Sequence, residues 1–353
     1  MNSTDALARL AAHGLSGAST VPLAVDSLDD LVALAEQRRA LSWVSQAVAA
    51  GMVANATPAF EKELTARHLG AVQTTMAAHA AAVRLITRLA AVGLADVRVL
   101  KGCATGHLDY PRAIDRFSTD VDVLIPACDL DQLASAFEPG AIPEPRRRRW
   151  QERYGKSTTV VDEHRVEIDL HMTISNGYFG LAVPVDALRR EPVRFEIAGT
   201  SMLALDGPNR LLHAANHVGG SGHYNLNSAR DVLQLALVSG IAWEEAVERA
   251  ERWKVDALFA LGVRRAWEDL AVEPHPLAEW AARHGTAGRQ RIAMRMVGDR
   301  PRGHLLTAPL ALPIWKWPGY VGPILFPSRA YLAENDKTWT TRMKSLLAEL
   351  RFW

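Results

Sequence analysis

Ser118-Thr119-Asp120-Val121-Asp122-Val123-Leu124-Ile125 is the stretch whose reading decides the fold. Acids and aliphatics alternate in it, the period of a strand with one buried face. Val121, Val123 and Ile125 form the face that belongs in a core. Asp120 and Asp122 share the other, their Cα atoms about 6.5–7 Å apart. Two anions held side by side repel, and each discourages ionisation of the other. A divalent cation removes that objection, and oxygen ligands of this kind suit Mg²⁺.

Working outward, Glu167-Ile168-Asp169-Leu170-His171 reads as a second strand with Glu167, Asp169 and His171 on one face. If it neighbours the first, Asp169 completes a set of three carboxylates. Such a set can hold two metal ions about 3.5–4 Å apart for phosphoryl transfer. Upstream, Leu100-Lys101-Gly102-Cys103-Ala104-Thr105-Gly106 reads as a strand end, a glycine turn and the start of a helix, where backbone N–H groups can approach a phosphate. Lys101 adds a point charge, and Arg116 stands four residues before Asp120.

The rest of the chain sets these pieces in a frame. Residues 28–92 read as helix, with one apolar face beginning at Leu28, Leu31, Val32 and Leu34 and a second stretch running from Pro58 to Leu89. Strands are expected at 97–100, 119–125, 157–162 and 165–171, with a hairpin at 193–197 and 201–205. From Pro208, with Asp206 as its cap, the chain turns helical again at 208–218, 225–239, 243–270 and 276–297. A last helix is expected from Ser328 toward Phe352. Leu305–Phe326 is apolar, with Lys316 its one formal charge, but Pro309, Pro313, Pro318 and Pro323 argue against a lipid-facing helix. An extended wrap against the protein is expected there.

The order of strand, glycine turn, helix, D-x-D strand and later Asp strand resembles the DNA polymerase β-like nucleotidyltransferases. More closely it resembles the bacterial branch labelled uncharacterised nucleotidyltransferase. The matching pieces are Leu100-Lys101-Gly102, Tyr110-Pro111, Arg116, Asp120-Val121-Asp122-Val123-Leu124 and Asp169-Leu170-His171. Downstream, Leu211-Leu212-His213 to His217, Ala229-Arg230-Asp231-Val232 and Phe326-Pro327-Ser328 are similar to the branch's later elements. The resemblance covers about residues 95–330. It implies an α+β fold, a small mixed β-sheet nucleotidyltransferase core flanked by N-terminal and C-terminal helices. The boundaries expected are 1–94 for the N-terminal helical region, 95–205 for the core and 206–353 for the C-terminal helical domain.

The resemblance also implies roles. Asp120, Asp122 and Asp169 are the expected catalytic residues and metal ligands, for Mg²⁺ or Mn²⁺, with Asp169 also helping to deprotonate the acceptor. Lys101, Gly102, Cys103 and Arg116 are expected to bind the nucleotide, although Cys103 stands where the wider superfamily has a phosphate-contacting Ser. The bland reading of Arg116 is an ion pair that neutralises Asp120. His171 and His217 are the expected substrate-binding residues. His213 and His217 lie four apart on one helix face, but no His-Glu-x-x-His is present. Glu167 reads as a solvated strand residue, Arg146–Arg149 as a solvated loop before Trp150, and Trp315 and Trp317 as packing. Lys156-Ser157-Thr158 lacks the upstream glycines of a phosphate loop and is set aside.

Composition bounds the function. The chain has 353 residues, 40 Lys plus Arg against 39 Asp plus Glu, and a formal net charge of +1. Near-neutrality and the lack of basic–aromatic tracts argue against a nucleic-acid partner. Two cysteines, Cys103 and Cys128, and the lack of a signal-peptide pattern fit the cytoplasm. The expected activity is transfer of NMP from an NTP to a hydroxyl or phosphate of a small molecule or peptide by a two-metal mechanism, without a membrane. A non-catalytic nucleotide-binding regulatory protein and an RNA-end nucleotidyltransferase are the alternatives.

Overall fold

The D-x-D segment is strand β2, Asp120–Leu124, near the middle of a six-stranded mixed sheet. The computed structural model describes residues 1–125, 130–138, 141–142, 150, 152–221, 225–296, 303–326, 329, 332, 338–341 and 343–344. The other strands are β1, Arg98–Val99; β3, Ser157–Val161; β4, Glu167–His171; β5, Val193–Ile197; and β6, Thr200–Ala204. Their order across the sheet is β3-β4-β2-β1-β6-β5. β2 runs parallel to β4 and antiparallel to β1.

Both hairpins follow from local chemistry. Ala198 and Gly199, with φ of 47° and 77°, form the two-residue turn between β5 and β6. Two consecutive left-handed residues match the twist of the flanking strands. Between β3 and β4 the Asp162 carboxylate accepts from the N–H groups of His164 and Val166, at 2.9 and 2.8 Å.

The N-terminal helices are α1, Ser3–Ala11; α2, Leu28–Gln37; α3, Leu41–Ala49; and α4, Pro58–Ala91. Thr57 caps α4 by accepting from the Phe60 N–H at 3.2 Å, with Pro58 in the first turn. The Gly207–Ser221 and Leu226–Leu237 helices stand where the sequence puts them, and Asp206 accepts from the Asn209 N–H at 2.9 Å.

Three expectations are corrected. The stretch 243–270 is two helices, Trp243–Trp253 and Asp256–Leu270, separated by Lys254 at φ 59°. The left-handed residue closes the first helix, and the Val255 N–H reaches back to the Ala250 carbonyl at 2.9 Å. Apolar periodicity continues through the break, which hides it. The stretch 276–297 likewise divides into Pro276–Arg283 and Gly288–Met294. The third correction concerns Leu305–Phe326, which holds helices Gly303–Ala311 and Trp317–Leu325 around a 3-10 turn at Ile314–Lys316, rather than an extended wrap. Pro318 is tolerated because it sits in a first turn, where its missing N–H has no intrahelical partner. Trp315 is 76% exposed, so it is not a packing residue. Among the described residues no helix is long and apolar enough to cross a membrane. Arg146–Arg149, Cys128 and most of the expected last helix lie outside the described residues.

Two apolar clusters hold the chain. One joins Val99, Val121, Val123, Ile168 and Leu170 of the sheet to Ala81, Ala82, Leu85 and Leu89 on the second half of α4. The other joins α1–α3 to the later helices through residues such as Leu10, Trp43, Val44, Leu212, Leu233 and Phe259, and it takes in Leu100 and Leu124. The aliphatic face of β2 thus turns to α4. The face bearing Asp120 and Asp122 belongs to the side where the Gly207–Ser221 helix lies.

Candidate active site

The register of β2 and β4 decides the site. Asp122 pairs directly with Asp169, and Asp120 with Glu167. Paired residues on neighbouring strands project from the same face about 4.8 Å apart, so the two strands raise their carboxylates together. Ligand atoms of Asp122, Asp169 and His171 all lie within 4.8 Å of one another. Asp120, half-buried, is not a member of this tight group, and Glu167 is exposed.

Asp122 is only 3% exposed, and burial alone would push its carboxyl up. Lys101 and the His171 hydrogen bond outweigh burial and hold it well below the usual carboxylate range. Lys101 Nζ stands 3.1 Å and His171 Nε2 2.8 Å from Asp122 Oδ1. Both contacts fall on one oxygen, which leaves Oδ2 for another partner. The mutual repulsion expected from the sequence is therefore offset inside the protein. His171 Nδ1 lies 3.2 Å from the Thr173 carbonyl. Both ring nitrogens face oxygen acceptors, so the ring is placed to donate and to orient Asp122 rather than to offer a lone pair.

Asp169 is half-buried, and its Oδ1 accepts from the Thr159 hydroxyl of β3. Its second oxygen is again spare. Two carboxylates that each keep one oxygen, side by side on a polar face, are a donor set that suits Mg²⁺ or Mn²⁺.

The glycine turn behaves as its composition suggests. The helix α5, Lys101–Asp109, is broken at Gly102, with φ 19° and ψ −97°. A Cβ at Gly102 would meet the Ser118 hydroxyl at 2.5 Å, so this approach needs a residue without one. Cys103 is 2% exposed, and burial pushes its thiol up to about 12. It packs in the sheet's apolar cluster.

Arg116 is placed differently from either sequence reading. Its guanidinium is buried and binds Asp231 of the Leu226–Leu237 helix, with Nε at 3.1 and 3.2 Å and Nη2 at 2.6 Å. Its Nη1 donates to the Phe117 carbonyl at 2.7 Å. Burial opposes its charge, but Asp231 more than restores the preference for the charged form. The Tyr110 hydroxyl donates to the same Asp231 at 2.9 Å. Asp109 and Arg210 form a second pair nearby, at 2.9 and 3.1 Å. These contacts pin the end of α5 and the lead-in to β2 onto the later helices.

His213 and His217 face this region from the Gly207–Ser221 helix. Burial, followed by Lys101, holds both rings well below the ordinary histidine value. His213 meets His171 edge-on, with ring centroids 6.4 Å apart. Lys156 stands at a bend just before β3, where its carbonyl accepts from the N–H groups of Met172 and Thr173, at 2.7 and 3.3 Å. Asp231 was visible only through the resemblance, since its partner lies 115 residues away.

Residues 26–268 match the model of a family described as uncharacterised nucleotidyltransferase, about two thirds of the chain. No curated protein and no solved structure matches the chain.

Proposed function

The chain belongs to the uncharacterised nucleotidyltransferase family, and on that premise we propose that it transfers NMP from an NTP to a hydroxyl or phosphate of a small molecule or peptide. The observation that carries this reading is the pairing of Asp122 with Asp169, each with one carboxylate oxygen uncommitted to a described side chain. Asp122 and Asp169, with Asp120 two residues ahead, would hold Mg²⁺ or Mn²⁺. When bound, the ions would lower the pKa of the attacking oxygen and offset charge on the phosphates.

The chain's own residues supply the remainder. Lys101 and His171 fix the Asp122 carboxylate in one orientation, which is preorganisation set before substrate arrives. Thr159 does the same for Asp169. The acceptor oxygen forms a bond to the α-phosphorus as the bond to the pyrophosphate oxygen breaks, and the electron pair leaves with pyrophosphate. The acceptor's proton would pass to the Asp169 carboxylate and on to solvent. Lys101 would meet phosphate with the N–H bonds it does not give to Asp122. Gly102 lets the phosphate chain approach the backbone at the turn. His217, half-buried on the Gly207–Ser221 helix, would line the acceptor side. Cys103 and Arg116, with their side chains committed elsewhere, would act on the nucleotide only through the shape of the turn.

The test is incubation of the protein with each labelled NTP, Mg²⁺ and extract of the source cell, followed by mass identification of the labelled product. A labelled acceptor that disappears with Asp169→Asn supports the reading. No product with any of the four NTPs, in Mg²⁺ or Mn²⁺, would reject it.

A further inference from the structure

The last part of the chain carries a surface that the proposed reaction does not use. Residues 288–353 hold 11 Lys plus Arg against 4 Asp plus Glu, a net charge of +7 in a chain whose total is +1. They lie beyond residues 26–268, which the family model matches. Exposed apolar groups gather in the same part. Among the described residues, Ile292, Ile314, Trp315, Trp317, Phe326 and Trp339 are half of the twelve large apolar side chains that stand open to solvent, and they include every tryptophan of that set.

The geometry makes a tip. The 3-10 turn at Ile314–Lys316 joins the Gly303–Ala311 and Trp317–Leu325 helices, and all six residues from Ile314 to Gly319 are exposed. Ile314 is 72% and Trp315 76% exposed. Pro313 and Pro318 bracket the turn and restrict its backbone, so the shape exists before anything binds. Trp317 Nε1 donates back to the carbonyls of Pro309 and Leu312, at 3.2 and 3.3 Å. Beside the turn lies a groove of about 500 Å³, lined by Leu310, Leu312, Ile314, Trp317 and Arg289 among others. Arg289 is exposed, and its Nη1 donates to the Leu310 carbonyl at 3.0 Å. Arg291 and Arg295 are exposed on and just after the same Gly288–Met294 helix.

The tip is fastened to the protein at Tyr320, which is 2% exposed. Its ring meets Tyr154 edge-on at 5.2 Å and Trp150 at 5.5 Å, and its carbonyl accepts from Trp150 Nε1 at 2.9 Å. The aromatic residues here are therefore divided. Tyr320 is spent on packing, and Trp315 is left to solvent.

A contiguous apolar patch of this kind marks a surface that something else covers, and its charge selects the partner. An indole has an apolar body and a polar N–H, which suits the boundary between lipid headgroups and acyl chains. The ammonium of Lys316, between two tryptophans, and the guanidinium groups beside them suit lipid phosphates. Each of the two helices has nine residues, about 13.5 Å of length, so neither crosses a hydrocarbon core about 30 Å thick. The four prolines that argue against a spanning helix do not oppose helices that lie in the surface.

We infer that the tip at Ile314–Gly319, with the basic residues around it, docks on the surface of an anionic lipid bilayer. Ile314 and Trp315 enter the boundary between headgroups and chains, while Lys316 and Arg289 meet lipid phosphates.

Vesicles of phosphatidylcholine alone, and of phosphatidylcholine mixed with phosphatidylglycerol, are the probes in flotation assays on the full chain. The unaltered protein should bind the mixed vesicles about tenfold or more tightly than phosphatidylcholine alone, and high salt should remove that preference. Ile314→Ser with Trp315→Ser should weaken binding to the mixed vesicles about tenfold or more, with an unchanged melting temperature, since both side chains are mostly exposed. Lys316→Glu should weaken it about fivefold or more. Leu69→Ser with Met76→Ser, at two α4 positions each 58% exposed, should leave it within about twofold. No binding to the mixed vesicles, equal affinity for both kinds, or an equal loss in the α4 variant would overturn the inference. So would self-association in the ultracentrifuge that the Ile314→Ser, Trp315→Ser variant abolishes, which would give the patch to a second copy of the chain.

Discussion

Two clusters of buried charge lie within a few residues of each other in the sequence and behave in opposite ways. Around Arg116 the cluster is closed. Arg116 pairs with Asp231, Tyr110 adds a hydrogen bond, and Asp109 pairs with Arg210. Around Asp122 the cluster is open. Lys101 and His171 share one oxygen of Asp122, and Asp169 keeps one free. Burial of charge therefore does not distinguish a site from a brace. The carboxylates separate the two: Asp231 and Asp109 are spent on fixed partners, whereas Asp122 and Asp169 each keep an oxygen that a ligand could use.

The sharpest way to break this contrast is Asp169→Asn. It keeps volume and removes one spare oxygen and the proposed proton acceptor. Transfer should fall by about 10³-fold or more, while NTP binding survives and the melting temperature in EDTA holds or rises. A destabilised variant with normal turnover would place Asp169 in the brace instead.

The closed cluster should respond through stability. Asp231→Asn leaves the Arg116 charge buried without compensation, which costs about 3–5 kcal/mol in denaturant unfolding. The double variant Arg116→Met with Asp231→Leu should recover most of that loss and bind NTP normally. If stability returns but triphosphate affinity does not, Arg116 contacts phosphate after all.

Acid probes a third environment. His79 is 8% exposed and meets His107 at a tilt, with ring centroids 4.9 Å apart. Burial, then His107 and Arg116, lower its pKa to about 4. The unfolded chain takes up a proton below the ordinary histidine value of 6.5 that the folded ring refuses. Stability is therefore full above pH 6.5 and is lost as the pH falls toward 4, by at most about 1.4 kcal/mol per pH unit from this ring. Replacing His79 with Leu should flatten that slope in urea titrations between pH 4.5 and 7. An unchanged slope would assign the acid sensitivity to other groups, His213 and His217 foremost.

The smallest effect is expected at Cys103. Cys103→Ala removes a small apolar group from the sheet's cluster at a cost of about 1 kcal/mol, with NTP affinity unchanged within about twofold. A larger loss of affinity would restore the nucleotide contact that its position in the motif suggests.

By itself the sequence determined the strands, the glycine turn, the face that Asp120 and Asp122 share on one strand and the face that Asp169 and His171 share on another. Those features depend on alternation and turn chemistry within a few residues, and a strand's period of two leaves little freedom once Val121 and Val123 must be buried. The helix breaks at Lys254 and at 284–287 escaped notice, because apolar periodicity runs on through a closing turn. Only the tertiary structure decided that β4 lies beside β2 in the register that pairs Asp122 with Asp169. It alone gave Arg116 to Asp231. The physical reason is that a charged side chain seeks whatever counter-charge the fold brings within a few ångströms, and that partner's separation along the chain, 115 residues for Arg116 and Asp231, leaves no trace in local pattern.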